Sequence, residues 1–227
     1  MYTSHASCFT PLLKHLVEQV DCHPRVEALV FPHLWRVGFI ATRLADAVGF
    51  HDPELHKSAF LHDIGKLAIA ESILFKPEAL TQFEYELIKG HAHIGSSVAR
   101  SMFRLGPEAR YIHDHHERWD GKGYPAGLPS DSTSLGGRII AVVDAFDAMV
   151  FENRPYAGKR SPEEGLRVLN EGAWTQWDGH LVQAFTGLWG TGELSTEVVA
   201  QFNDMMWDAL REMVPALADE ASKNAAS

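Results

Sequence analysis

Leu61-His62-Asp63-Ile64-Gly65-Lys66, the hexapeptide at residues 61–66, sets an imidazole beside a carboxylate, with an ammonium one turn further along. Such a neighbouring pair can grip one cation from the end of a helix, and histidine is the side chain that most readily ligates transition metals near neutral pH. Alone the pair is weak, because His next to Asp occurs by chance in many proteins. It gains weight from ligand types that recur at helical positions: His33 upstream, then His91, His115-His116 and Asp144.

Working outward, Asp52-Pro53 forms a cap and first-turn pair, so the spacing predicts a helix through Leu55, Ala59 and Leu61 to His62-Asp63, with Gly65 ending it. Upstream, Leu34, Val37, Ile40, Ala41, Leu44, Ala45 and Val48 keep a helical period that starts at His33 and stops at Gly49. Downstream, Thr81-Gln82-Phe83-Glu84 is a capping-box pattern opening a helix whose Phe83, Leu87 and Ile88 lead to His91 along one face. Further helices are expected over Ser96–Arg104 and from Glu108 to about Glu117. The glycine-rich stretch from Trp119 to Gly137 reads as an ordered loop, since Trp119, Tyr124 and Leu128 give it something to pack. GRIIAVVDAFDAMV (137–150) reads as a buried helix, and Ser161-Pro162-Glu163-Glu164 starts another. Val198, Phe202, Met205, Met206 and Met213 mark a long amphipathic helix from Ser195 to about Leu217, its Met-rich stripe read as core. No alternating strand run is present, so the expected fold is all-α.

Length and composition narrow the function. The 227 residues, 45% of them hydrophobic, suit one large domain or one domain with appendages. A net charge of −10 argues against a DNA-binding surface, which needs a face rich in Lys and Arg. Cys8 and Cys22 share no short metal spacing and suggest a reducing compartment. No basic leader or long apolar span appears, so a cytoplasmic protein without membrane segments is expected. The first 30 residues carry an amphipathic stretch around Leu12, Leu13, Leu16, Val17 and Val20 that caps the domain or meets a partner. Of the thirteen histidines, His5, His15, His23, His51, His56 and His180 read as scattered surface residues.

The candidate ligands are His33, His62, Asp63, His91, His115, His116 and Asp144, with no thiolate. Such a set suits iron, manganese or zinc-like ions in a site holding more than one. Neighbours on a helix diverge by about 100°, so the adjacent pairs serve different bond vectors, and Asp63 has two oxygens with which to bridge. His33, His62 and Asp144 are expected around one ion, and His91, His115 and His116 around the other. Two cations about 4 Å apart would hold a water, lower its pKa and present hydroxide in line with a phosphorus atom. Two dications, two aspartates and a hydroxide leave a single net positive charge, and Lys66 raises it. The pocket can thus attract an anion inside an acidic protein, with Lys66 at a phosphate oxygen. His93 and His113 fall on other helix faces and are set outside the ligand set. Asp147 reads as a supporting carboxylate, and Arg138 as a structural arginine pairing with Glu117 or Asp120.

The order H…HDIGK…H…HHERWDGKGYP…GRIIAVVDAFDAM…RPY resembles the HD-GYP family, the bacterial branch of the HD phosphohydrolase superfamily. Its most specific piece is HHERWDGKGYP at 115–125. The resemblance implies an HD-domain helical bundle with an ordered GYP loop, two or three bound metals often including iron, and hydrolysis of cyclic di-GMP to pGpG and in some members to GMP. Some relatives carry a glutamate for a third metal where this chain has Leu29, so two divalent ions are expected, iron first, then manganese or another. Asp63 and Lys66 are the expected catalytic pair. Gly121 and Gly123 permit backbone turns closed to other residues, and Pro125 biases Tyr124 toward an extended backbone, presenting it at the mouth. Tyr124, with Gly123 and Pro125, would meet a guanine, a phosphate or a protein partner. Arg118 and Arg154 are candidate phosphate forks. The chain departs from the family pattern in having Ala157 after Arg154-Pro155-Tyr156, and His91-Ala92 and Trp177-Asp178-Gly179 at two further motif positions. The expected organisation is an N-terminal helical extension (1–30), an HD-GYP catalytic domain (31–190) and a C-terminal amphipathic helix and tail (191–227), with a homodimer through the terminal helices as a possible assembly. Rival readings are a catalytically weak module that binds cyclic di-GMP or a protein, and a hydrolase of another cyclic dinucleotide.

Overall fold

The computed structural model describes residues 24–151 and 159–213, with side chains described from 32 to 151 and from 159 to 209. The stretch around Leu16, both cysteines, His5, His15, His23 and Arg154 lie outside the described residues. In chain order the elements are α1 (Pro24–Ala47), α2 (Leu55–Phe60), a 3-10 turn (Ile64–Ala68), α3 (Glu71–Leu74), α4 (Gln82–Lys89), α5 (His91–Met102) and α6 (Ala109–Asp114). A second 3-10 turn (Ser130–Ser132), α7 (Leu135–Val150), α8 (Pro162–Gly172), α9 (Gly179–Gly190) and α10 (Thr196–Met213) complete it. The described residues form an all-α fold with no strand beyond one isolated bridge, Ala173 to Trp177.

Helix α1 is the hub, with α2, α7, α9 and α10 all packed against it. Its Leu34, Trp35, Val37, Phe39, Ile40, Ala41 and Leu44 are buried on every side, the pattern of a helix enclosed by others. The helix runs through Pro32, so His33 does not start it as the sequence suggested. An internal proline costs about 3 kcal/mol, whereas each large apolar side chain fully buried contributes about 1.5–3 kcal/mol. The five large side chains buried between Leu34 and Ile40 outweigh that penalty. The C-terminal helix joins the same core: Phe202 stacks on Phe39 with ring centroids 4.2 Å apart, and Trp35 meets Trp207 edge to face. Val199, Phe202 and Met206 are fully buried, so the stripe of α10 is core over its described side chains, with Met213 outside them.

Three local expectations change. Helix α2 ends at Phe60, and His62-Asp63 occupy the turn before a 3-10 segment that runs through Gly65. Gly65 is there for proximity, since a Cβ on it would lie 2.0 Å from the His91 carbonyl oxygen. Helix α6 stops at Asp114, so His115 and His116 also lie beyond a helix end. Helix α4 does open with the Thr81–Glu84 capping box, but Phe83 and Leu87 point outward, 72% and 41% exposed. The capping box, a Gln82–Glu86 hydrogen bond and a Lys76–Glu84 ion pair support this helix in place of burial.

Candidate metal centre

Five elements deliver the seven candidate ligands: α1 brings His33, the turn after α2 brings His62 and Asp63, α5 begins at His91, the turn after α6 brings His115 and His116, and α7 brings Asp144. Three of the rings are fixed by one device. His62 Nδ1 donates to the Ala59 carbonyl at 2.8 Å, His91 Nδ1 to Ile88 at 2.6 Å and His115 Nδ1 to Ile112 at 2.6 Å. A carbonyl can only accept, so each Nδ1 carries a hydrogen and each ring turns its Nε2 inward. His33 is held from its Nδ1 by Asp147 Oδ2 at 2.7 Å, and Asp147 is gripped by both arms of the buried Arg36.

The inward atoms meet in two groups, His33 with His62 and Asp144, and His91 with His115, His116 and Asp63. Within them Nε2 atoms face each other at 3.2 Å (His33–His62) and 3.3 Å (His91–His115). Asp63 lies between the groups. Its Oδ2 is 3.6 Å from His33 and 3.5 Å from His62, while Oδ1 is 3.2 Å from His91 and 3.9 Å from His115. That Oδ1 is buried and has no hydrogen-bond partner. Convergent lone pairs around an unsatisfied carboxylate oxygen are an electron-rich lining that a cation would complete, so the donor set fits a metal.

The titrations follow from this crowding. Burial opposes charge on His33, but Asp144, Asp147 and Asp63 overcome it and hold His33 well above its usual range. Burial pushes His115 well down, helped by His116, His62 and His91, and pushes His116 down to about 4. Burial would raise Asp63 and Asp144, yet Lys66 and His62 hold Asp63 well below the carboxylate range, and His33 and His62 do the same for Asp144. Lys66 reaches Asp63 Oδ2 directly from one turn away.

The loop after His116 is ordered by Glu117, whose buried carboxylate accepts the backbone N–H groups of Ala126, Gly127 and Leu128. Tyr124 lies over His116 with centroids 4.8 Å apart and joins Pro125 through a cis peptide bond. Gly121 does take a left-handed turn at φ 73°, but Gly123 serves close approach instead: a Cβ there would sit 2.4 Å from Arg118 N. Arg118 places its fork on Asp120, with two bonds of 2.9 Å. Arg138 pairs with Asp178 at 2.5 Å and with Asp131 at 3.5 Å, not with Glu117 or Asp120. His93 and His113 face each other 6.0 Å apart on the outside of the cluster. Arg36, Glu117 as a loop clasp and Asp114, which accepts from Arg110 and Ser134, were not anticipated. The helical spacing of His33 and Arg36 was the one available signal.

The family model for the HD domain matches residues 26–181. The chain belongs to the HD-domain family. Within it, a cyclic di-GMP phosphodiesterase of Thermotoga maritima is 40% identical over 163 residues, covering 69% of this chain and 44% of the relative. A 3'3'-cGAMP-specific phosphodiesterase 1 of Vibrio cholerae is 36% identical over 61% of this chain and 33% of the relative. The chain thus spans less than half the length of these curated relatives. Among solved structures, the HDGYP protein Bd1817 from Bdellovibrio bacteriovorus superposes with a TM-score of 0.57 at 18% identity, covering 72% of this chain and 53% of that one. This HD domain therefore shares its helical fold with an HD-GYP protein, as its loop motif suggested.

Proposed function

We propose that this centre hydrolyses a phosphodiester bond of cyclic di-GMP, releasing linear pGpG and, after a second cleavage, GMP, in the cytoplasm. The observation that carries the reading is the divided Asp63 carboxylate, one oxygen turned to His33 and His62 and the other to His91 and His115. His33, His62 and Asp144 would hold one divalent ion, His91, His115 and His116 a second, with Asp63 shared; iron is the first choice and manganese the next. When bound, such a pair supplies an activated water and neutralises charge on the phosphate. The names of the relatives support the substrate class.

The chain's own groups do the rest. The Ala59, Ile88 and Ile112 carbonyls keep the rings of His62, His91 and His115 oriented, and burial favours the neutral form of His115. Lys66, part-exposed beside Asp63, adds an ammonium where a phosphate oxygen approaches. Burial, Tyr85 and the charges of Asp63 and Asp144 push the Tyr124 hydroxyl up, so it stays a neutral donor through the physiological range. It can then donate to a phosphate oxygen or a guanine. A mixed purine cyclic dinucleotide is the second reading, favoured by three relatives named 3'3'-cGAMP-specific phosphodiesterases.

The test is to purify the protein without oxygen, count bound metals per chain, and follow cyclic di-GMP turnover in wild type and His62→Ala. Two ions and turnover in wild type, with both reduced in the variant, are expected. Binding without turnover by a metal-loaded sample would overturn the enzymatic reading, and preferential cleavage of the mixed dinucleotide would replace the substrate.

A further inference from the structure

The outward side chains of α4 stand beside the centre. Tyr85 is 46% exposed, and Lys89 Nζ lies 5.4 Å from the Tyr85 ring centroid and 5.8 Å from that of Tyr124. One ammonium thus sits between two aromatic rings, and the second of those rings lies over His116. Lys89 is tied to the centre through the backbone as well: Gly90 keeps a helical conformation, and His91 opens α5. The charged partner of Lys89 is Glu86 at 2.7 Å, itself half exposed, a surface pair that an incoming phosphate can displace.

A cyclic purine dinucleotide presents two phosphodiesters and two bases, whereas Lys66 and the proposed ions address the single diester under attack. The other diester needs a cation of its own on a protein of net charge −10. We propose that Tyr85 and Lys89 are the other half of the substrate site, Tyr85 stacking a purine and Lys89 binding the phosphodiester that is not cleaved. This rests on the cyclic dinucleotide reading. It accounts for a polar-capped helix that turns an aromatic ring to solvent next to the pocket, since base stacking uses the face of an exposed ring.

The experiment measures the affinity of fluorescently labelled cyclic di-GMP and its steady-state turnover for wild type, Tyr85→Ala, Tyr85→Phe, Lys89→Ala and Lys89→Arg. Lys57→Ala on α2 serves as a surface control, and thermal melts check folding. Each alanine variant is expected to weaken binding by about tenfold or more and to raise KM more than it lowers kcat. Tyr85→Phe and Lys89→Arg should recover most of the affinity, and Lys57→Ala should match wild type. If wild type binds and cleaves while folded alanine variants bind like it, this inference alone falls. If wild type binds without cleaving and the alanine variants lose binding, the catalytic reading falls and this one stands. If wild type does neither, both fall.

Discussion

Among the described residues Asp147 touches the centre through His33, and Arg36 holds it from behind with two bonds. Replacing such a supporting carboxylate costs roughly 10–100-fold in metal affinity. Asp147→Asn is expected to lose that much in a chelator competition, and unchanged affinity would mean that His33 needs no help. The histidines also predict opposite pH behaviour in the metal-free protein. His116, held at about 4 against an ordinary 6.5, stays neutral in the fold while the unfolded chain takes up its proton. Its contribution to stability is therefore complete above about pH 6.5 and is lost as pH falls toward 4, and His115 shifts in the same direction. His33 has the reverse sign: its contribution is complete below its ordinary value and fades as pH rises through the raised one. Ring resonances followed by NMR across this range should show His115 and His116 neutral where His33 is charged. That these seven His and Asp side chains would converge was legible, because few residue types could hold such ions. Arg36 was not, because its partner Asp147 lies far away in the chain, nor were Glu117 and Asp114, whose backbone partners carry no side-chain signature in the sequence.

At the level of elements, the reading succeeded where the signal was local. The capping box expected at Thr81 forms and the helix expected from Ser161 starts there, through a capping box of its own, because such hydrogen bonds span three residues. Helix ends near the centre were misjudged, since tertiary contacts set them: α2 stops short of His62, and the turn through Gly65 presses against α5. Gly65→Ala must part those two backbones, and overpacking of this kind costs about 1–3 kcal/mol. Urea denaturation should show that loss together with weaker metal retention, because His91 moves with α5. Glu117→Gln keeps one carbonyl oxygen for the three N–H groups that a carboxylate now accepts, and a buried group left unmatched costs about 1–3 kcal/mol. Faster proteolysis within 119–134 is the expected sign. The outward face of α4 was not legible either, as an i, i+4 apolar pair reads alike whether it meets a core or a ligand.

On the scale of the whole molecule, α1 and α10 hold one core together, and Phe202→Ala should cost about 3–5 kcal/mol in urea denaturation. An effect near zero would show that α10 is an accessory. An ion that binds only the folded chain adds about 2.7 kcal/mol when present at a hundred times its Kd, so a chelator should lower Tm. The all-α architecture was legible from periodicity, but the hub role of α1 was not, because Pro32 disguised its first turns. The rings of His62, His91 and His115 are each steered by a carbonyl three residues behind, so their aim is settled by short-range bonds that need no ion. Loading should consequently proceed without rebuilding the surroundings, and one cation could be exchanged for another on the same scaffold, leaving cellular supply to choose the occupant.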